Sequence, residues 1–160
     1  MATSTLLQYL ETTDAVTGAS LGASPSNRRQ VETFFAGATV AVGDWMQFDT
    51  SKTGATKVVT VIQAAANGTG NPLVCGVCIG SAESDGSLTA GSKVNVVVAG
   101  YVAAANVANA VAAAGVALTV DAAGAGQAVA ITAADTGPAC GVSLSAPVAN
   151  VAEVWVYKQF

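Results

Sequence analysis

The sequence predicts an all-β protein: a compact sandwich or barrel-like body built from two weakly similar halves, with an irregular N-terminal arm. Three observations support this fold class. Short β-branched runs of strand length recur along the chain, Gly and Asp turns separate them, and the order of strands and turns in the first half returns in the second. At 160 residues the chain has the usual size of one domain and can bury a sizeable core.

Regular strand patterning begins at residue 39, so we assign 39–160 to a single β-rich body. The alternation of Val40 and Val42 ends at a Gly43-Asp44 turn. Further strands are predicted at 45–48, 58–62, 73–79, 93–98, 116–120, 129–131, 142–144 and 154–157. Their spacing is typical of sandwiches and barrels.

The repeat is visible in the order of motifs. The first half reads Phe48-Asp49, a Gly-containing turn, 61–65 and 75–82; the second reads Val120-Asp121, a Gly-rich turn, 130–134 and 140–146. A further strand follows each set. A period of about 70 residues is too long for an ordinary solenoid, so we interpret the halves as two similar units around one core. Chance similarity within Ala-, Gly- and Val-rich sequence is the alternative.

Residues 1–38 show no sustained strand alternation and are turn-rich at 12–26, which indicates an arm or irregular lead-in. Two short helices are also compatible with this segment: one with an apolar face of Leu6, Leu7 and Leu10, and one capped by Ser26 or Asn27 that runs through Phe34 and Phe35. The Ala-rich stretch 106–115 is left open between a short helix and irregular structure.

Composition excludes some partners and suggests others. Six Lys and Arg against ten Asp and Glu give a net charge of −4, which argues against binding to a phosphate backbone. Only 10% of residues are charged and 52% are hydrophobic, so part of the surface is expected to be covered by copies of the chain or by a larger assembly. The uncharged stretch 94–120 is long enough for a membrane span, but its Ala, Gly and Asn content and period-two start favour core strands and turns. We expect no membrane partner, and no signal peptide is apparent.

Catalytic chemistry is poorly represented. The chain has no histidine, which removes the usual general base and the commonest metal ligand, so we expect no enzyme activity, no metal and no cofactor. A carboxylate-only hydrolase is the remaining enzymatic interpretation. Its candidate residues mostly sit in turns, where Asp is favoured for local backbone hydrogen bonds; they are Asp44, Asp49, Glu83, Asp85, Asp121 and Asp135.

Cys75, Cys78 and Cys140 are predicted to be free, buried thiols because nothing indicates an oxidising compartment. Cys75 and Cys78 have the spacing of a redox or zinc half-site. On a regular strand, residues three positions apart point to opposite faces, which argues against joint chemistry.

Four residues are candidate interface contacts. Arg28 and Arg29 are the only arginines, and arginine is enriched at the anchors of protein interfaces. A solvated pair on the lead-in is the alternative. Trp45 and Trp155 are each open between core packing and interface anchoring.

The sequence resembles the small head decoration, or cement, proteins of tailed bacteriophages. The resemblance rests on 26–30, Ala41-Val42-Gly43-Asp44-Trp45, 70–77, 90–98 and 150–157. It implies a β-rich body, often trimeric, made in the host cytoplasm and bound to the capsid exterior, where it clamps neighbouring major capsid proteins. Residues 1–38 would then be the arm that reaches along the capsid. The alternative is a β-rich fibre or tail module of the virion that binds carbohydrate, although the aromatic content of 6% is low for sugar stacking.

Overall fold

The computed structural model describes residues 29–66, 70–120 and 126–159. They form a nine-stranded sheet in the order β1-β3-β2-β4-β5-β9-β8-β6-β7. The strands are β1 Arg29–Ala36, β2 Trp45–Phe48, β3 Thr60–Gln63, β4 Val74–Ser81, β5 Lys93–Asn106, β6 Ala117–Thr119, β7 Val129–Ala130, β8 Gly141–Ser143 and β9 Val151–Val156. A short 3-10 helix, Gly54–Val58, precedes β3. The all-β prediction is therefore confirmed, and each strand predicted from 45–48 onwards overlaps an observed one, whereas the alternation of Val40 and Val42 forms no strand.

The first half of the body is a closed barrel of five strands. β2 pairs with β3 and β4, β4 pairs with β5, and β1 closes the circuit by pairing antiparallel with β5 and parallel with β3. Alternate residues of β5, namely Val94, Val96 and Val98, point into its core beside Phe34 and Met46. This alternation is the period-two pattern that the sequence displays.

The second half repeats this strand plan. β6 pairs with β7 and β8, and β8 pairs with β9, as β2 pairs with β3 and β4, and β4 with β5. The far end of β5 takes the place of β1, because it runs antiparallel to β9 and reaches a parallel bridge between Val107 and Ala128. The long strand β5 therefore belongs to both halves: it is the last strand of the first and the closing strand of the second.

Details of packing support the correspondence. The Sγ of Cys75 lies 3.4 Å from the carbonyl oxygen of Met46, and the Sγ of Cys140 lies 3.3 Å from that of Leu118. Gly76 and Gly141 follow the two cysteines, and at each a Cβ would clash with a carbonyl oxygen of the next strand. The predicted similarity of the two halves is thus confirmed in three dimensions.

Two helices that the sequence left possible do not form in the described residues. Phe34 and Phe35 lie in β1, a strand that closes the first barrel, and not in a helix. The last part of the predicted lead-in therefore belongs to the sheet. No helix forms at 106–115, where β5 ends and turns follow. The possible helix at Leu6, Leu7 and Leu10 lies outside the described residues.

The two cysteines of the Cys75–Cys78 pair do not point to opposite faces, contrary to the sequence-based expectation. Met46 pairs with Gly76 and Gln47 pairs with Val74, so Cys75 is an extra residue in a β-bulge. The bulge shifts the alternation, and both thiols lie in the core of the first half. All three cysteines are free and buried, as predicted.

The stretch 94–120, considered above for its length without charge, consists of β5, turns and β6. None of the helices in the described ranges is long and apolar enough to cross a membrane.

Candidate interaction surface

The first half carries a row of apolar side chains on the outside of its barrel. Trp45 on β2 pairs with Val77 on β4, which pairs with Val97 on β5. All three are fully buried, and they belong to the core cluster of the second half rather than to that of the first. We call them the first outer row. The second half therefore covers this face of the first barrel.

Trp45 contacts the second half beside the bridge at which the chain after β5 pairs with the residue before β7. Its backbone N–H donates to the carbonyl oxygen of Gly126, and its indole Nε1 donates to that of Asn106, each at 3.0 Å. The amide of Ala128 also donates to Asn106, beside the Val107–Ala128 bridge. Because Trp45 has no exposed surface, its burial favours core packing over interface anchoring, the two interpretations that the sequence left open.

A buried carboxylate strengthens this junction. Asp44 is 3% exposed and accepts hydrogen bonds from the backbone N–H of Ala41 at 2.8 Å and the side-chain amide of Gln63 at 2.9 Å. Its other oxygen accepts from the side-chain amide of Asn106, at 2.8 Å. Because Asn106 ends β5, Asp44 ties β5 to the start of β2. Buried charges require this kind of satisfaction.

The second half carries the corresponding row, but there Ala117 and Val142 are half-buried and Trp155 is exposed. Ala117 on β6 pairs with Val142 on β8, which pairs with Trp155 on β9. We call these residues the second outer row. Trp155 is 38% exposed, whereas the three members of the first outer row are fully buried. The second row is therefore an apolar face on which the rest of the described chain does not pack as it does on the first.

Tyr101 extends the second outer row across β5, because it pairs with Trp155. Its hydroxyl donates to a carboxylate oxygen of Glu153 at 2.9 Å. Partial burial, followed by the hydrogen bond and negative charge of Glu153, raises the pKa of Tyr101. The result is an aromatic pair with a polar edge, a combination that is common at protein interfaces.

Arg29 begins β1, which lies on the other edge of β5 from β9. It pairs with Gly100 on β5, which in turn pairs with Val156, the neighbour of Trp155. Lys158 adds a second cation and places its Nζ 3.5 Å from the side-chain oxygen of Gln30. Two of the four candidate interface residues, Arg29 and Trp155, therefore lie on strands that both pair with β5, but the register aligns Arg29 with Val156 and not with Trp155. Arg28 lies outside the described residues.

A second exposed apolar patch lies where β1 closes the first barrel. Phe35 is 44% exposed and Val59 43%, and the amide of Phe35 donates to the carbonyl oxygen of Val59. Val58, at the end of the 3-10 helix, is also exposed. The Nζ of Lys93 sits 5.9 Å from the centre of the Phe35 ring. We call Phe35, Val58 and Val59 the first closing seam.

Four of the six candidate carboxylates, Asp44 among them, have structural partners. Asp49, Asp85 and Asp135 accept hydrogen bonds from the backbone N–H groups of Ser51, Ser87 and Thr132, which is the turn role expected from their sequence context. A second hydrogen bond, from the side-chain hydroxyl of Ser51, is the main cause that lowers the pKa of Asp49. Asp121 lies outside the described residues. Within the described ranges, no three His, Cys, Asp or Glu side chains are grouped so as to hold a metal ion.

The thiols are in environments that suppress reactivity. Burial raises the pKa of both Cys75 and Cys140 to about 12 and raises that of Cys78 as well. Since the thiolate is the nucleophile and metal ligand, these cysteines remain protonated near neutral pH. Cys75 and Cys140 serve packing at equivalent places in the two halves.

Sequence reasoning missed the residues that flank Trp155. Val142 and Tyr101 become neighbours of Trp155 only through pairing of β8, β9 and β5. The period-two pattern of 151–156 could have indicated the exposed face, because it places Val151, Glu153 and Trp155 together. The role of Asp44 had no comparable signal, since a Gly-Asp pair is typical of a turn.

Comparison with solved structures gives information on the fold, whereas comparison with family models and curated proteins does not. No protein-family model matches the sequence, and no curated protein matches it. A chain from the structure described as "The capsid of Myoviridae Phage XM1" matches with a TM-score of 0.53 and 20% identity, covering 82% of this chain and 85% of that chain. At this level of identity the match shows a shared fold.

Proposed function

We propose that the protein is a structural, non-enzymatic component of a phage virion that binds the outside of the head and stabilises contacts between major capsid proteins. The observation that carries the proposal is the fold match over most of both chains to a chain in a phage capsid structure. The resemblance of the sequence to head decoration proteins points the same way. The proposed state is a homotrimer.

The surface chemistry supports a binding role. The second outer row and the first closing seam expose large apolar side chains in a chain with 10% charged residues. Covering apolar surface contributes about 25 cal/mol per Å² before the costs of association are subtracted. A protein that bridges two neighbouring capsomers adds this free energy to the contact between them, and the contact then resists internal pressure.

The segment before β1 is the proposed capsid-binding arm. Arg28, within it, and Arg29, at the start of β1, supply planar guanidinium groups that can form paired hydrogen bonds with carboxylates on the capsid. An ordered arm loses about 1–2 kcal/mol of conformational entropy per residue, so many small contacts must offset this cost. The arm proposal ends at residue 28, because Arg29–Ala36 closes the first barrel.

The experiment mixes purified protein with expanded heads that lack it and measures occupancy by sedimentation. We expect saturable binding and greater resistance of DNA-filled heads to heat. Removal of residues 1–28 should leave the circular dichroism spectrum of the body unchanged and weaken attachment strongly. Absence of binding to heads, combined with binding to tail fractions or to a glycan array, would instead support the fibre or tail alternative.

A charge-matched pair of variants tests the arginines. Arg28→Ala with Arg29→Ala should weaken attachment by about tenfold or more if both are interface anchors. Lys52→Ala with Lys57→Ala removes the same charge from a region outside the proposed arm and should have little effect. Equal losses in the two variants would show a general effect of net charge and would contradict a specific arginine contact.

A further inference from the structure

Two surfaces form the contact between the halves, and each has an equivalent in the other half that is partly exposed to solvent. Within the chain, the first outer row packs against the place where the second half closes, and Trp45 hydrogen-bonds there to Asn106 and Gly126. One outer row and one closing region therefore form an interface that this fold already uses. The remaining question is where the equivalent row and the equivalent closing region lie.

The equivalent closing region is the first closing seam. Ala36 pairs in parallel with Val61 as Val107 pairs with Ala128. Phe35 precedes Ala36 by one residue, as Asn106 precedes Val107. Val59 precedes Val61 by two residues, as Gly126 precedes Ala128. Phe35 is therefore equivalent to Asn106, and Val59 to Gly126. Phe35 and Val59 are 44% and 43% exposed. The first half thus presents in the open the region that, in the second half, receives Trp45.

The equivalent row is the second outer row. Ala117, Val142 and Trp155 have the same strand positions and registers as Trp45, Val77 and Val97. The first row is fully buried, whereas Trp155 is 38% exposed. One chain therefore carries a partly exposed row on one half and an exposed closing seam on the other.

We infer that a second copy of this chain occupies the second outer row, presenting its first closing seam to it. The contact continues between copies the relation that the two halves have within a copy. It joins two different surfaces, so it is heterologous, and it closes into a ring if the rotation per copy allows. The tryptophan of the row is Trp45 on β2 in the internal contact and Trp155 on β9 in the contact between copies.

This inference deepens the self-association in the proposed function by naming both surfaces, and it is tested on purified protein without a capsid. Trp155→Arg blocks the row, and Val59→Arg blocks the seam. Both positions are exposed, so folding should be retained, which circular dichroism checks. Val148→Arg is the control, because Val148 is 79% exposed and lies outside both surfaces.

Analytical ultracentrifugation measures association of each variant and of their mixture. We expect Trp155→Arg and Val59→Arg each to weaken self-association by at least about tenfold, while Val148→Arg behaves as the unsubstituted chain. Mixing the two blocked variants should restore a one-to-one dimer, because one copy retains an intact seam and the other an intact row. That complementation is specific to a heterologous contact.

Other outcomes overturn the inference. Undiminished association of either blocked variant would exclude its surface from the contact between copies. Failure of the mixture to form a dimer would exclude the pairing of row with seam. If Trp155→Arg keeps its association state but loses attachment to heads, the second outer row contacts the capsid, which contradicts this inference and leaves the proposed function in place.

Discussion

The two halves of the molecule share a strand plan but differ in how each is closed and in what covers it. The first half has its own closing strand, the eight residues of β1, whereas the second half reuses the end of β5 and a bridge at Val107. The outer row of the first half is buried by the second, and the outer row of the second is partly exposed. The comparison shows that equivalent positions in a repeated fold become core or surface according to what packs on them.

The largest expected effect is at the two equivalent glycines. A Cβ at position 76 would lie 2.1 Å from the carbonyl oxygen of Val97, and one at position 141 would lie 2.6 Å from that of Trp155. Gly76→Ala should therefore cost more than about 4 kcal/mol, and Gly141→Ala should cost somewhat less. Thermal unfolding followed by circular dichroism measures both.

Gly86→Ala is the matched control for these substitutions. Gly86 has a φ of +71°, but no heavy atom lies within 4 Å of the place that a Cβ would occupy, so it tests backbone strain without a clash. We expect a cost of about 1–2 kcal/mol. If Gly76→Ala were no more destabilising than this control, the close approach of β4 to β5 would be wrong.

The next effect compares the two tryptophans. Trp45→Ala removes a fully buried side chain and should lower the free energy of unfolding by about 3–5 kcal/mol. Trp155→Ala, at a partly exposed position, should cost less than about 1 kcal/mol in protein dilute enough to be monomeric. Denaturant unfolding at low concentration measures both variants, and equal costs would contradict the assignment of one row to the core and the other to the surface.

A smaller effect is expected at the carboxylate between the halves. Asp44→Asn replaces one of the oxygens that accept from Ala41, Gln63 and Asn106 with an amide that donates. At least one buried donor then lacks an acceptor, at a cost of about 1–3 kcal/mol. Asp85→Asn, in an exposed turn, is the control. Urea titrations of the two variants should differ by this amount, and an Asp44→Asn variant as stable as the unsubstituted chain would show that these hydrogen bonds do not stabilise the junction.

The equivalent cysteines predict a shared response to alkaline pH. Burial raises the pKa of Cys75 and Cys140 from the ordinary value of 9.0 to about 12, so folding favours the protonated thiol. The contribution of the protonated thiols to the free energy of unfolding is fully present below pH 9.0. It is lost as pH rises towards about 12, at about 1.4 kcal/mol per pH unit per thiol. Unfolding titrations should therefore show Cys75→Ala and Cys140→Ala each to be less sensitive to pH than the unsubstituted chain in this window. Identical pH profiles for all three proteins would contradict the burial of the thiols.

Much of this fold could be predicted because the strands of the body keep a clean alternation. Val94, Val96 and Val98 all point into the core of the first half, and the repeated motif at Cys75 and Cys140 marks equivalent strands. β1 escaped detection for a physical reason. Its outward positions Val31 and Phe35 are apolar and its inward position Glu32 is charged, so the pattern has no clear period.

The interaction surface was less predictable, since it depends on what covers each strand. Trp45 and Trp155 both lie in short strands, and neither sequence context distinguishes burial from exposure. The β-bulge at Cys75 was equally hidden, because one extra residue changes the facing of all that follow without changing composition. Both features are set by pairing between strands distant in the sequence.

Collisional quenching of the two tryptophans by acrylamide, across a range of protein concentrations, tests the contrast between the two outer rows most directly. Trp155→Phe reports Trp45 alone, and the difference from the unsubstituted chain reports Trp155. We predict that Trp45 is protected at every concentration, whereas Trp155 is quenched in dilute protein and becomes protected as copies associate. If Trp155 is equally accessible in the dilute and the associated states, the second outer row is not the contact surface between copies.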